Sequence, residues 1–411
     1  MKYCLIGEKL GHSYSVIIHE KRGYDYILRP IERNYLCDFC KEDWDGFNIT
    51  IPYKKDIMQW LDFVSDDAKE IGAVNTVKRE NGKLFGYNTD LGGLKYTFDR
   101  IGVSLNNQNV LVLGSGGASK VAVALAKKEG ARSVNIVSRT GDINYQNVYE
   151  KVPFATVIIN TTPVGMFPNA DDSPISLDGF ENLIAVVDAI YNPYQTKLLI
   201  QAQRKKLKFS NGLPMLVEQG LIAEDIWSNT THTKGETEDI INYLVQKTMN
   251  VVLFGMPSCG KTTLGRLVSH NLDREFIDTD ELIKEKTGKS PATLIKESGE
   301  KVFRDIESDV IKSVAKLSGK VISLGGGGVL REENVDALRQ NGIMVYVDRA
   351  LELLVDDDRP ITKQKGVQKL FAERKDIYEK AKDICVTNNG NVENAMKEII
   401  EKYETACHKR S

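Results

Sequence analysis

The run Gly255-Met-Pro-Ser258-Cys259-Gly260-Lys261-Thr262 fits G-x-x-x-x-G-K-[ST] at every fixed position. Loops of this type wrap phosphate in backbone N–H groups, bring a lysine to the outer phosphates and offer a hydroxyl to Mg2+. On this reading Gly255, Ser258, Cys259, Gly260, Lys261, Thr262 and Thr263 hold ATP, Lys261 acts on the phosphoryl group, and Thr262 is a metal ligand. An earlier glycine-rich turn, Gly114-Ser-Gly116-Gly117-Ala118, implies a second nucleotide site. The strand after it runs out into Ser138-Arg139-Thr140. A carboxylate there would take the ribose 2′-hydroxyl of NAD, whereas a guanidinium between hydroxyls suits the 2′-phosphate, so NADP is expected. Phe276-Ile-Asp278-Thr-Asp280 sets two carboxylates at alternate positions of an expected strand end, on one face beside the phosphate loop. One of them has a second reading, as N-cap of the helix that follows. Two nucleotide devices in one chain suggest two enzymes joined end to end.

Phosphate loops need a strand before them and a helix after them, and both are legible. Val251-Val-Leu-Phe254 is an apolar run of strand length, and Leu264-Gly-Arg-Leu-Val268 continues at helical spacing, so the positive helix N-terminus faces the anion. Asn109–Leu113, the glycine turn, a helix over Val121–Lys128 and a strand over Ser133–Val137 form a βαβ dinucleotide unit. Strands are also expected near Lys2–Ile6, Tyr24–Leu28, Gly46–Thr50 and Asn75–Lys78. Strand-length and helical patterns alternate almost throughout, which makes the fold class α/β. A polar stretch from Ser228 to Glu238 interrupts the alternation, and a domain boundary is expected near residue 248.

The chain has 411 residues, 41% hydrophobic and 27% charged, enough for two or three packed cores. A net charge of −2 argues against a nucleic-acid or membrane surface and for small-molecule partners. No apolar stretch has bilayer length and the start reads as a strand, so a cytoplasmic location is expected. Six cysteines in a chain this long do not make a disulfide framework, and Cys37-Asp-Phe-Cys40 stands without a second pair at metal spacing.

Six motifs stand in order upstream: Gly11-His-Ser13-Tyr-Ser15, Asn48-Ile-Thr50-Ile-Pro-Tyr-Lys54, Gly72-Ala-Val-Asn75-Thr, Gly86-Tyr-Asn88-Thr-Asp90, Asn160-Thr-Thr-Pro-Val-Gly165-Met and Gly212-Leu-Pro-Met-Leu-Val-Glu-Gln219. Together they resemble shikimate dehydrogenase, over residues 1 to about 248. The resemblance implies a substrate-binding domain at 1–101, completed by about 220–248, and a Rossmann NADP domain at 102–219. It implies that 3-dehydroshikimate is reduced to shikimate, with Ser13 and Ser15 on the carboxylate and Thr50, Asn75 and Gln219 on the ring hydroxyls and carboxylate. Lys54 and Asp90 match the catalytic pair, and Gly212 falls with the cofactor-binding residues. Taken singly, Lys54 beside Lys55 also reads as a solvated lysine, and Asp90 as a helix cap. The chain departs from the family at Ser15-Val16 and His19-Glu20, and at Gly141-Asp142, where many relatives carry a further basic residue.

Residues 249–411 resemble shikimate kinase through the phosphate loop, Gly299-Glu-Lys-Val-Phe-Arg304-Asp-Ile-Glu307, Ser323-Leu-Gly325-Gly326-Gly327-Gly328, Arg359-Pro360 and Ala372-Glu-Arg374. That resemblance implies a P-loop fold of the nucleoside-monophosphate-kinase kind. Asp278 would hold Mg2+ through water, and Asp280 would bind shikimate hydroxyls and take a proton. Arg304 and Arg374 would grip the carboxylate, Gly326 and Gly327 would lie against the ring, and Arg359 would neutralise the transferring phosphoryl group. The segment Leu351–Arg359 is shorter and more acidic than in the family, and the arginine that commonly stacks on adenine has no match. Lys363, Lys365 and Thr387-Asn-Asn389 are candidate substitutes. The expected whole is a bifunctional enzyme that reduces 3-dehydroshikimate with NADPH and phosphorylates shikimate with MgATP. The alternatives are a quinate/shikimate dehydrogenase using NAD, or a dehydrogenase fused to a non-catalytic ATP sensor.

Overall fold

The computed structural model describes residues 2–11, 13–354 and 366–410. The chain divides into two compact units, one of Met1–Tyr191 and Thr196–Ile241, the other of Asn192–Gln195 and Asn242–Ser411. Among the described residues the strands form three sheets.

Two of these belong to the first unit. A six-stranded mixed sheet has the order Tyr26–Pro30, Tyr3–Gly7, Gly46–Ile49, Thr76–Glu80, Lys83–Tyr87, Phe63–Val64. Its one reversal matters: Thr76–Glu80 runs antiparallel to both neighbours, with Asn48 opposite Thr76 and Thr76 opposite Tyr87. The start of that strand therefore lies beside the ends of the other two, which brings Asn75, Thr50 and Asn88–Asp90 to one edge. Cys4, Ile6, Phe39, Phe47, Ile49, Tyr53 and Val77 pack one face of the sheet. On the other, Trp227 of the helix Leu213–Ser228 stacks on Tyr3 at 4.6 Å and donates to Val77 O at 2.9 Å.

The second sheet is wholly parallel, in the order Ser133–Val137, Asn109–Leu113, Val157–Asn160, Ala185–Asp188, Lys208–Ser210. Strand order reverses direction between Asn109–Leu113 and Val157–Asn160, and open α/β sheets bind ligands in the crevice beyond such a switch point. Both faces are covered, by separate apolar clusters around Val110, Val112, Leu125 and Ile159, and around Leu111, Leu113, Ile158 and Leu198.

A third parallel sheet makes the second unit, ordered Phe276–Asp278, Val321–Ser323, Asn250–Phe254, Gly342–Asp348, Ile384–Thr387. The phosphate loop leaves the central strand and enters the helix Lys261–Leu272. Phe276–Asp278 stops two residues short of the expected strand end: Asp278 Oδ1 accepts from Asp280 N–H at 3.0 Å and caps a helix that starts at Thr279. The two carboxylates therefore do not share a strand face. No helix among the described residues is long and apolar enough to cross a membrane.

Candidate active sites

In the first unit Lys54 Nζ donates to Asp90 Oδ2 at 2.7 Å. Lys54 sits in the turn after Gly46–Ile49, where Val74 N–H binds its carbonyl at 2.7 Å. Asp90 opens the helix Asp90–Arg100, with its N–H on Asn88 Oδ1 at 3.1 Å. Lys54 and Asp90 are 28% and 15% exposed, so the ammonium is tethered yet open to a ligand. Next to them Asn75, itself buried, donates to Thr89 Oγ1 at 2.9 Å and to Gln219 Oε1 at 3.4 Å, and accepts from Thr89 N–H at 2.8 Å. Thr89 also donates to Gln219 Oε1, at 3.3 Å. Thr89 thus ties three elements together, a role not read from the motif that contains it.

Ser13 Oγ donates to Ser15 Oγ at 3.0 Å, and Ser15 begins the helix Ser15–Lys21, which meets the helix of Gln219 where Ile18 packs on Gly220. No hydrogen bond among the described residues joins this serine pair to Lys54 or Asp90. Thr50 N–H is spent on Ile6 O at 2.9 Å, while its methyl packs on Gly7. The Asn48 amide reaches Asn75 O and Thr76 Oγ1, which places it in the support of the site. This edge offers neutral donors and acceptors around one ammonium–carboxylate pair, a set with the chemistry to orient a polyol and to hand over a proton.

At the switch point of the parallel sheet, Gly114 leaves the strand at φ +105, where a side chain would be strained and would meet Thr161. Gly116 and Gly117 head the helix Gly117–Lys128, and side chains there would point into open space. A pyrophosphate fits this arrangement of bare backbone at a helix N-terminus. Ala118 lies in the first turn, and Ser138, Arg139 and Thr140 follow the neighbouring strand. Arg139 is exposed and has no ion pair among the described residues, as a 2′-phosphate partner requires. Gly212 packs on the end of Ala185–Asp188, where a Cβ would lie 2.1 Å from Ala189 O.

Sequence reasoning missed Asp188. Its enclosed carboxylate accepts from Asn160 Nδ2 at 2.9 Å, Ile190 N–H at 3.1 Å and Thr196 Oγ1 at 2.7 Å. Burial lifts its pKa to about 6 against those three bonds. Asn160 in turn accepts from Thr162 N–H and Oγ1, so one carboxylate fixes the loop that follows Val157–Asn160. An acid closing an apolar run reads as a strand end, which hid it.

In the second unit a cavity of about 240 Å³ is lined by Asp280, Arg304, Gly326, Gly327 and Arg374, with Pro257 of the phosphate loop at its wall. Arg304 Nη1 donates to Glu307 Oε2 at 2.6 Å, and its guanidinium lies so close to Gly327 that a Cβ there would meet it at 2.0 Å. Arg374 Nη1 and Tyr378 Oη both donate to Gly326 O, at 2.9 and 2.6 Å. Glu307 Oε1 is buried without a partner among the described residues, and burial first of all pushes that carboxyl up. Its spacing three residues after Arg304 was the available signal.

Thr262 Oγ1 donates to Asp278 Oδ2 at 2.9 Å, which sets a hydroxyl and a carboxylate together as a hydrated Mg2+ would need. Lys261 Nζ is turned onto Gly255 O and Met256 O, at 3.2 and 2.9 Å. Cys259 donates its N–H to Met256 O within the loop, and its thiol is buried. Ser258 is held at φ +64, Gly260 caps the helix, and Thr263 lies exposed in its first turn. In the candidate adenine segment, Asn388 donates to Cys259 O at 2.9 Å and Asn389 Oδ1 accepts from Ala350 N–H at 2.8 Å. Arg359, Lys363 and Lys365 lie outside the described residues.

Comparison with known proteins follows the same division. The family profile described as shikimate dehydrogenase substrate binding domain matches residues 5–77, and that of shikimate kinase matches residues 257–404. NADP(+) shikimate dehydrogenase of Clostridium beijerinckii is 38% identical over 245 residues, 55% of this chain and 91% of that protein. Its counterpart in Caldicellulosiruptor bescii is 40% identical over 258 residues, 55% of this chain and 88% of that protein. Among solved structures, a chorismate mutase/shikimate 5-dehydrogenase fusion protein from Clostridium acetobutylicum is 34% identical with a TM-score of 0.57, covering 60% of this chain and 97% of that one. Shikimate 5-dehydrogenase from Thermus thermophilus in complex with NADP(H) and shikimate is 30% identical with a TM-score of 0.53, over 58% of this chain and 98% of that one.

Proposed function

We propose, from the premise that this chain belongs to the shikimate dehydrogenase family and carries a shikimate kinase domain after it, that it reduces 3-dehydroshikimate with NADPH and phosphorylates shikimate with MgATP. NADPH and MgATP, when bound, supply the hydride and the phosphoryl group. At the first site the ring is oriented by Asn75, Gln219 and Thr50 and its carboxylate by Ser13 and Ser15. As hydride reaches the ketone carbon, the oxygen becomes an alkoxide and takes a proton from Lys54 Nζ, which solvent then restores. Asp90 keeps the ammonium in place throughout.

At the second site Arg304 and Arg374 present guanidinium groups to the substrate carboxylate, and Asp280 accepts the proton of the attacking hydroxyl. Lys261 exchanges its loop carbonyls for phosphate oxygens. Thr262 and Asp278 hold the metal side, and Arg359 is assigned to charge neutralisation from its place in the sequence. The observation that carries the kinase reading is the cavity that joins Asp280, Arg304 and Arg374 to Pro257 of the phosphate loop.

Separate dehydrogenase and kinase assays of wild type, Lys54→Ala and Lys261→Ala test both halves. Each substitution is expected to silence one reaction and spare the other. Wild-type protein that releases no ADP on addition of shikimate would return the second unit to an ATP-sensing role. Faster turnover with NADH and quinate than with NADPH and shikimate would overturn the assignment of the first.

A further inference from the structure

We propose that Arg349 is a nucleotide-binding residue of the second unit, its guanidinium contacting the nucleoside triphosphate held by the phosphate loop; this rests on the kinase reading above. Arg349 is the residue after the strand Gly342–Asp348, which pairs with the phosphate-loop strand Asn250–Phe254 across the middle of the sheet. Loops at the carboxyl ends of neighbouring parallel strands are where such sheets take ligands. Its Nη1 lies 3.9 Å from the point a Cβ of Gly260 would occupy, so the cation flanks the residue that caps the helix Lys261–Leu272.

Two observations separate this arginine from a surface charge. Arg349 has no hydrogen bond or ion pair among the described residues, and its Nε is buried without an acceptor. Leaving such a donor unmet is costly, so an acceptor that arrives with a ligand accounts for it better than packing does. The backbone on either side is also fixed. Asn388 N–H binds Asp348 O at 2.8 Å, and Ala350 N–H binds Asn389 Oδ1 at 2.8 Å. The Asn388 side chain then reaches Cys259 O at 2.9 Å and ties the same loop to the phosphate loop. The arginine is therefore carried by a segment anchored to the nucleotide site, with its own donors unspent among the described residues.

A guanidinium pairs with phosphate oxygens and stacks on aromatic bases, and a nucleotide offers both. The test uses the full chain with MgADP and with magnesium tripolyphosphate as calorimetric probes, alongside steady-state kinetics. Arg349→Met is expected to weaken MgADP by about tenfold to a hundredfold, as loss of a charge-assisted contact does. The KM for ATP should rise in step, while the KM for shikimate and the dehydrogenase rate stay at wild-type values. Weakening of MgADP alone would place the contact on the base, and weakening of both probes would place it on phosphate.

Wild-type affinity for MgADP in Arg349→Met overturns the proposal, as does an equal rise in the KM for shikimate. Should that variant fail to fold, Arg349→Lys decides: it keeps the charge but not the fork, and unchanged MgADP affinity there overturns it too. Wild-type protein that binds MgADP but transfers no phosphoryl group would sink the kinase reading and leave Arg349 to be judged by binding. Wild-type protein that binds no MgADP sinks both.

Discussion

Arg304 is enclosed on three sides, by Glu307, Glu300 and the backbone of Gly327, and only the cavity side is free for a carboxylate. A lysine keeps the charge but neither the fork nor the pairing with Glu307. Arg304→Lys is therefore expected to raise the shikimate KM of the kinase reaction by about tenfold or more, with the dehydrogenase rate unchanged. Arg139 supplies the parallel case in the first unit. Exposed and unpaired among the described residues, it can be removed at little cost to stability. Arg139→Ala is expected to lower the ratio of NADPH to NADH efficiency by about tenfold, read from kcat/KM with each cofactor. Both arginines were legible because each sits in a motif of fixed spacing. Arg349 and Asp188 were not, because what marks them is contact across elements: with a loop about 90 residues earlier in one case, and with an asparagine at the end of a neighbouring strand and a threonine at a helix N-cap in the other.

The helix Leu213–Ser228 does more than carry Gln219. Gly93 of the helix Asp90–Arg100 meets it so closely that a Cβ would lie 2.5 Å from Met215 O and 3.2 Å from Gln219 Cβ. Gly93→Ala should therefore push the two helices apart, lower stability by about 1–3 kcal/mol and raise the KM for 3-dehydroshikimate as Gln219 withdraws; thermal melts and dehydrogenase kinetics report the two effects. The far end of the same helix is fastened by His232, which bonds Asp225 at 2.7 Å and Glu218 at 3.2 Å. Glu218 above all, and then Asp225, raise this imidazole to about 9 against the opposing effect of burial. A raised folded-state value means that the stabilisation is complete below about pH 6.5 and lost as pH climbs through 9. Melting temperature should fall over that interval in wild type and fall less in His232→Gln. The polar run around His232 reads from sequence as a break between elements, and nothing in its composition says that one imidazole staples it to a helix. Helix and strand positions were far more legible, since the apolar runs of the parallel sheets are buried on both faces and carry strong patterns. The early strands shift by one or two residues from the expected limits, and Phe276–Asp278 ends early because capping by Asp278 competes with strand extension.

Each unit has its own sheets, two in the first and one in the second, and its own nucleotide device, so a ligand that binds one is expected to stabilise that one. In a calorimetric scan NADP+ should raise one unfolding transition and MgADP another; a single transition raised equally by both would contradict independent units. Within each sheet, taken by itself, the candidate functional residues gather at one rim. Gly114, Asp188, the phosphate loop and Arg349 follow the carboxyl ends of parallel strands, and Thr50 and Asp90 follow strand ends in the mixed sheet. The opposite rim is made of plain connections, such as the turn at Gly130, with φ +77, and the one at Asp273, with φ +52. For protein engineering each unit thus offers its own insertion point away from its candidate site: a peptide tag or fluorophore spliced in at Gly130 or at Asp273 is expected to leave the residues that follow the strand ends undisturbed.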